Sequence, residues 1–153
     1  MKNSIYNFET MKNTILSLIL ILSISLVHSQ ATNEAEIRLT LSDYIEGSSY
    51  NNLDQIKKAF FKDATLYLTN KEGEFKKYTP QQYADFFKHR EPGKFNGRVG
   101  KILDVKIDGD IATAKAKIVI ETHKTKYIDL FLLKNIQGEG WKIISKTATL
   151  FKY

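Results

Sequence analysis

Residues 111–122 read IATAKAKIVIET, and their alternation decides the fold class. Ala112, Ala114, Ala116, Ile118 and Ile120 fall on one side of an extended chain. Thr113, Lys115, Lys117 and Glu121 fall on the other. A period of two with lysine outward describes an antiparallel strand with one packed face and one wet face. Upstream, Asp108-Gly109-Asp110 is a hairpin signal, so residues 99–107 are expected to pair with this strand. Downstream, residues 127–134 and 141–151 form two more extended runs around a Gly138-Glu139-Gly140 turn. The C-terminal half therefore reads as four long strands joined by tight turns.

Helices occupy the other half. Ile37, Leu41, Tyr44, Ile45 and Ser48 share one helical face, which is expected to end near Gly47. Asn51 or Asn52 can cap a second helix whose inner face is Leu53, Ile56, Ala59 and Phe60. A short strand (65–69) and a second extended piece (74–78) flank Lys71-Glu72-Gly73. Thr79-Pro80-Gln81-Gln82 then opens a third helix, with Thr as cap, Pro at the first position and Gln three residues after the cap. That helix is expected to bury Tyr83, Phe86 and Phe87 and to stop before Pro92-Gly93. The expectation is an α+β domain in which a curved, cone-shaped antiparallel sheet wraps around three helices.

The amino terminus has a different character. Lys12 precedes ILSLILILSISLV, residues 15–27. As a helix this run rises only about 20 Å, short of the roughly 30 Å hydrocarbon core. Its length, the preceding lysine and the small residues after it describe a signal peptide over residues 1–29, cleaved between Ser29 and Gln30. Met1-Lys2-Asn3 recurs as Met11-Lys12-Asn13, so translation can start at Met11. The working domain is then residues 30–153, secreted or periplasmic. No cysteine is present, which excludes disulfides, thiolate metal sites, cysteine nucleophiles and a lipid-modified cysteine at the cleavage site.

Of the 153 residues, 42% are hydrophobic and 26% charged, as in an ordinary globular domain. The net charge of +6 comes largely from scattered lysines. Lys115, Lys117, Lys124 and Lys126 form a stripe without interleaved exposed aromatics, which argues against nucleic acid. There is no glycine-rich phosphate loop, no metal-ligand spacing and no Ser-His-Asp arrangement, so neither cofactor nor metal is expected.

The order of elements in this length resembles the nuclear transport factor 2-like superfamily. Residues 53–66 (LDQIKKAFFKDATL) look like its second helix running into the first strand. Residues 127–146 (YIDLFLLKNIQGEGWKIISK) look like the paired last strands of its lumazine-binding branch, close to the SnoaL-like group. Tyr127, Asp129, Leu133, Lys134, Gly140, Trp141, Lys142, Ile143 and Lys146 carry the match, which suggests an exported bacterial member. The resemblance implies a pocket inside a conical domain, and the branch name implies lumazine binding. Enzymes of the superfamily use a pocket carboxylate as base opposite hydrogen-bond donors; the isomerases place it on the early strands, where residues 65–70 here offer no acid. Its dehydratases use a pocket histidine and aspartate. His89 lies about 200° from Phe87 around its helix, and His123 shares the outward parity of Lys117 and Glu121, so neither fits that role.

Asp129 is the principal candidate. It shares strand parity with Tyr127, Phe131 and Leu133, while Ile128, Leu130 and Leu132 point the other way. Three placements remain open, because both faces are apolar. Turned inward and alone among aromatics, it is suited to act as a general base or as a donor to a carbonyl. It can instead cap a backbone group or pair with an inward cation such as Arg38. Or its face is the wet one. In the first two cases the Ile128, Leu130 and Leu132 row, bracketed by Lys126 and Lys134, is a homodimer surface on the sheet. The catalytic candidates are thus Asp129 and Tyr44, and the ligand-lining candidates Tyr67, Tyr83, Phe86, Phe87, Phe131 and Trp141. The leading expectation is a domain binding a small apolar or aromatic molecule. The rivals are a cofactor-independent isomerase, cyclase or hydratase/lyase, and an interaction domain with a filled pocket.

Overall fold

The computed structural model describes residues 31–70 and 72–153. The expected signal segment and the alternative start at Met11 lie outside the described residues. Glu34–Tyr153 forms one compact unit. Helix α1 (31–49) is followed by α2 (Leu53–Ala59), β1 (Phe60–Thr69), β2 (Phe75–Tyr78) and α3 (Pro80–Ala84), which tightens into a 3₁₀ turn over Asp85–Phe87. Four strands complete the chain: β3 (Arg98–Asp108), β4 (Ile111–Ile120), β5 (Thr125–Ile136) and β6 (Gly140–Lys152).

The strands form one sheet in the order β2-β1-β6-β5-β4-β3. This corrects the expected cone of antiparallel strands. The sheet is open, with β2 and β3 as its two edges, and it is neither closed nor strongly curled. It is also mixed, because β1 and β6 run parallel, with Thr65 opposite Ser145 and Leu66 opposite Lys146. Alternation specifies that a segment is a strand and which side faces inward. It carries no information about a partner some eighty residues away, and none about whether the sheet closes.

Local signals explain most elements. Asn52 caps α2, accepting from the Gln55 amide at 3.1 Å. At α3 the Thr79 hydroxyl accepts from the Gln82 amide (3.2 Å) while the Gln82 side chain accepts from the Thr79 amide (2.8 Å), a complete capping box. The expected end of α1 at Gly47 is displaced, since the helix continues to residue 49. Gly47 serves close packing instead: a Cβ there would lie 2.7 Å from the backbone nitrogen of Ile56. The left-handed residue after the helix is Asn51 (φ 58°), and it is buried. Its Nδ2 donates to the carbonyls of Glu91 (2.9 Å) and Lys94 (2.8 Å), and its Oδ1 accepts from Asn96 Nδ2 at 2.6 Å. These bonds tie the loop after α3 to the end of α1.

The core lies between the helices and one sheet face. Ile37, Leu41 and Tyr44 of α1 pack with Ala112, Ala114, Ala116 and Ile118 of β4 and with Phe131 and Leu133 of β5. The alanine row lets the helix layer approach closely, and the alternation of residues 111–120 is borne out residue by residue. Arg38, the suggested inward cation, is exposed and paired with Glu34 at 2.8 Å.

Candidate functional site

Asp129 faces inward and is 1% exposed. It lies between Ala116 of β4 and Ala148 of β6, whose small side chains leave room beside it. Its partner is Lys146, 3% exposed, with Nζ 3.1 Å from Oδ1. A buried charge is tolerated when an opposite charge and hydrogen bonds compensate it, and here both are present. Tyr44 Oη donates to Oδ2 at 2.6 Å, and the Tyr44 and Tyr83 hydroxyls are 2.9 Å apart.

Lys146 reaches the interior through a break in the alternation. Trp141 and Ile143 are buried, so strict alternation would put residue 146 on the outer face. On β5, however, Leu133 pairs with Ile143 and Leu132 with Ser145, which leaves Ile144 without a partner. This β-bulge resets the parity of β6 and turns Lys146 inward, opposite Phe131. Its ammonium then lies 5.5 Å from the ring centre of Tyr44, 5.6 Å from Tyr83 and 5.9 Å from Phe131. Ring faces are electronegative, so this aromatic cage supports the cation.

Burial, followed by the negative charge of Asp129 and by Tyr83, raises the Tyr44 hydroxyl well above the ordinary tyrosine value of 10.0. Tyr44 therefore keeps its proton and donates a hydrogen bond through it to Asp129 Oδ2. It follows that the Tyr83 hydroxyl donates to the Tyr44 oxygen. The lone pairs of Tyr83 are then the open end of a chain running Tyr83, Tyr44, Asp129, Lys146.

Around Tyr83 stand Phe86 and Phe87, each with its ring centre 5.7 Å away. Phe87 is buried, whereas Phe86 is 53% exposed, at variance with its expected burial. Arg98, which the sequence reading did not single out, lies 5.6 Å from the Phe87 ring centre and 5.9 Å from that of Tyr127. Trp141 is buried farther along the sheet, opposite Asn135, and its carbonyl accepts from the Thr40 hydroxyl at 2.9 Å. Tyr67 belongs elsewhere. It stacks on Phe75 (5.9 Å) and, with Leu130 and Leu132, lines a shallow depression of about 550 Å³ on the outer sheet face. His89 and His123 are exposed. The structure thus gathers Asp129, Tyr44, Tyr83, Phe87 and Phe131, keeps Phe86 beside Tyr83 but exposed, sets Tyr67 and Trp141 apart, and adds Lys146 and Arg98. No helix among the described residues is long and apolar enough to cross a membrane.

Fold and site together define a small α+β domain that packs helices on one face of an open mixed sheet and encloses an aromatic-walled polar chain. Residues 32–148 match the family described as "Putative lumazine-binding", and the chain belongs to that family. Solved structures show the same nuclear transport factor 2-like fold. A protein of unknown function from Shewanella baltica OS155 is 19% identical with a TM-score of 0.69, over 80% of this chain and 97% of that one. One from Methylobacillus flagellatus KT is 25% identical with a TM-score of 0.67, over 78% and 93%. A cystatin-like fold protein from Burkholderia xenovorans LB400 is 16% identical with a TM-score of 0.63, over 81% and 95%. A search of curated proteins finds no match.

Proposed function

We propose that this chain is an exported domain that binds a small aromatic molecule and does not transform it. The observation that carries the reading is the polar chain ending on Tyr83. Its oxygen has unused acceptor capacity and is flanked by aromatic rings, the pairing of one directional polar group with apolar walls that ligand sites use. The same chain weighs against proton transfer. A general base needs a free lone pair near substrate, and Asp129 is occupied by Lys146 on one oxygen and Tyr44 on the other. Tyr44, the matching donor, has its proton committed to Asp129.

Native mass spectrometry of protein purified from its producing cells tests the reading. A bound small molecule is expected, and the family's description makes lumazine the first compound to titrate. Tyr83→Phe should weaken binding by roughly 2- to 10-fold, the worth of one neutral hydrogen bond. Protein that carries no adduct and whose melting temperature no aromatic compound shifts would instead support an interaction domain with a filled core. The outer row of Leu130 and Leu132 beside Tyr67 and Phe75 suits a homodimer through the sheet. Sedimentation of wild type against Leu130→Glu checks this, a monomer in both being the adverse result. Residues 1–29 as a signal peptide complete the proposal; N-terminal sequencing of the exported protein should begin at Gln30.

A further inference from the structure

Arg98 opens β3 opposite Ile120, and its guanidinium is set against the rings of Phe87 and Tyr127. Its Nε is buried and has no hydrogen-bond partner. No described carboxylate forms an ion pair with it. Asp129 is taken by Lys146, and Glu91 in the adjoining loop is bound to Lys94 at 2.9 Å. Asp85, just after α3, accepts from Gln81 at 2.9 Å. Arg98 is half-buried, and Asp129 acts on it only through space while paired directly with Lys146. A second guanidinium, that of the exposed Arg90, lies 5.8 Å from the centre of the same Phe87 ring. Two like charges on one ring, one of them with a buried unpaired donor, form an unfavourable arrangement that an anion would relieve.

We infer that Arg98, reinforced by Arg90, is an anion-recognising position, and that the ligand is a small aromatic carboxylate. This rests on the binding role proposed above and adds the ligand's charge. A carboxylate presents two oxygens at the spacing of the guanidinium fork and can use the orphaned Nε donor. Phe87 and Tyr127 provide flat apolar walls for the ring that carries it. The loop bearing Arg90 and leading to Arg98 is pinned by Asn51 and Asn96, so the two cations are held in place before any ligand arrives.

Calorimetric titration with 2-naphthoate and its neutral counterpart 2-naphthamide, on the whole exported chain, tests the inference. Wild type should prefer the acid, and Arg98→Met should lose about 10- to 100-fold of its affinity, the loss of charge-assisted hydrogen bonds. Arg98→Lys should keep the charge preference with weaker binding, and Arg90→Met should fall between. Without ligand, Arg98→Met should change the melting temperature little, because the half-buried guanidinium makes no ion pair and its Nε no hydrogen bond. Equal binding of acid and amide, binding of neither, or an Arg98→Met variant that melts lower yet binds the acid unchanged would each overturn the assignment. The two proposals fail separately. Lumazine or another neutral molecule bound with the same affinity by Arg98→Met would remove the anion assignment and leave the binding role standing. Protein that neither carries an adduct nor responds to any aromatic compound would remove both.

Discussion

Replacing Lys146 by Met keeps most of the side chain's volume and removes its charge. The ammonium lies 3.1 Å from Asp129 in a pair that is almost wholly buried. With it gone, Asp129 retains only the Tyr44 hydroxyl as a direct partner, and a buried carboxylate loses the cation paired with it. Breaking a buried pair in this way costs about 3–5 kcal/mol. In a domain of this size that corresponds to a fall in melting temperature of roughly 10–20 °C. Urea unfolding followed by the fluorescence of Trp141, the chain's one tryptophan, measures the loss directly. Because the single variant can approach the limit of total stability, the double variant Lys146→Met with Asp129→Leu is the companion. It removes both charges, and the Tyr44 hydroxyl can then donate to Tyr83. It should recover to within about 1–2 kcal/mol of wild type, since apolar replacement of a whole buried pair is often neutral. A cost below about 1 kcal/mol for Lys146→Met, or a double variant no better than the sum of the singles, would refute the buried pair.

Tyr44→Phe should cost about 1–3 kcal/mol at neutral pH, by leaving Asp129 Oδ2 without its donor. The Tyr44 hydroxyl is raised in the folded chain, so its contribution is full below the ordinary value of 10.0 and is lost as pH rises through the folded value. Melting curves from pH 8 upward should therefore fall less steeply for Tyr44→Phe than for wild type. Deleting Ile144 removes the extra residue but leaves Ser145 opposite Leu132 and Lys146 opposite Phe131, so Lys146 stays inward and unfolding should remain cooperative; Ile144→Ala keeps the bulge and should cost about 1–2 kcal/mol in the same urea assay. Gly47→Ala places a Cβ against the Ile56 backbone and should lose about 1–3 kcal/mol by overpacking, with no rescue from trimming the Ile56 side chain.

The parts of this fold that are legible in the sequence are those specified by neighbours. Strands β3 to β6 follow from alternation and turn residues, α3 from its capping box, and the inner face of α1 from helical spacing. The face of Asp129 is a different matter. Both sides of β5 are apolar, because one packs the core while Leu130 and Leu132 line the outer depression. Lys146 is hidden more deeply, since the alternation set by Trp141 and Ile143 points it outward and only the unpaired Ile144 reverses it. Nothing in the local composition marks that bulge. Arg98 sits one residue before the expected strand and reads as a solvated end. Its significance comes from Phe87 and Tyr127, which the topology brings together. The parallel β1–β6 pairing has no local signature at all, and that is why the cone was expected and an open mixed sheet was found.

That pairing bears on how the chain acquires its shape. Strand β6 lies inside the sheet, between β1 and β5, and the bond from the Ser145 hydroxyl to the Thr65 carbonyl spans 80 residues. Contacts so distant in sequence carry a large loop-closure entropy and form slowly. On a growing polypeptide the β1–β2 hairpin must wait, with one edge uncovered, until residues 140–152 have been made. Synthesis therefore runs ahead of folding here, and Tyr44 and Lys146 meet only when nearly the whole domain is available to fold.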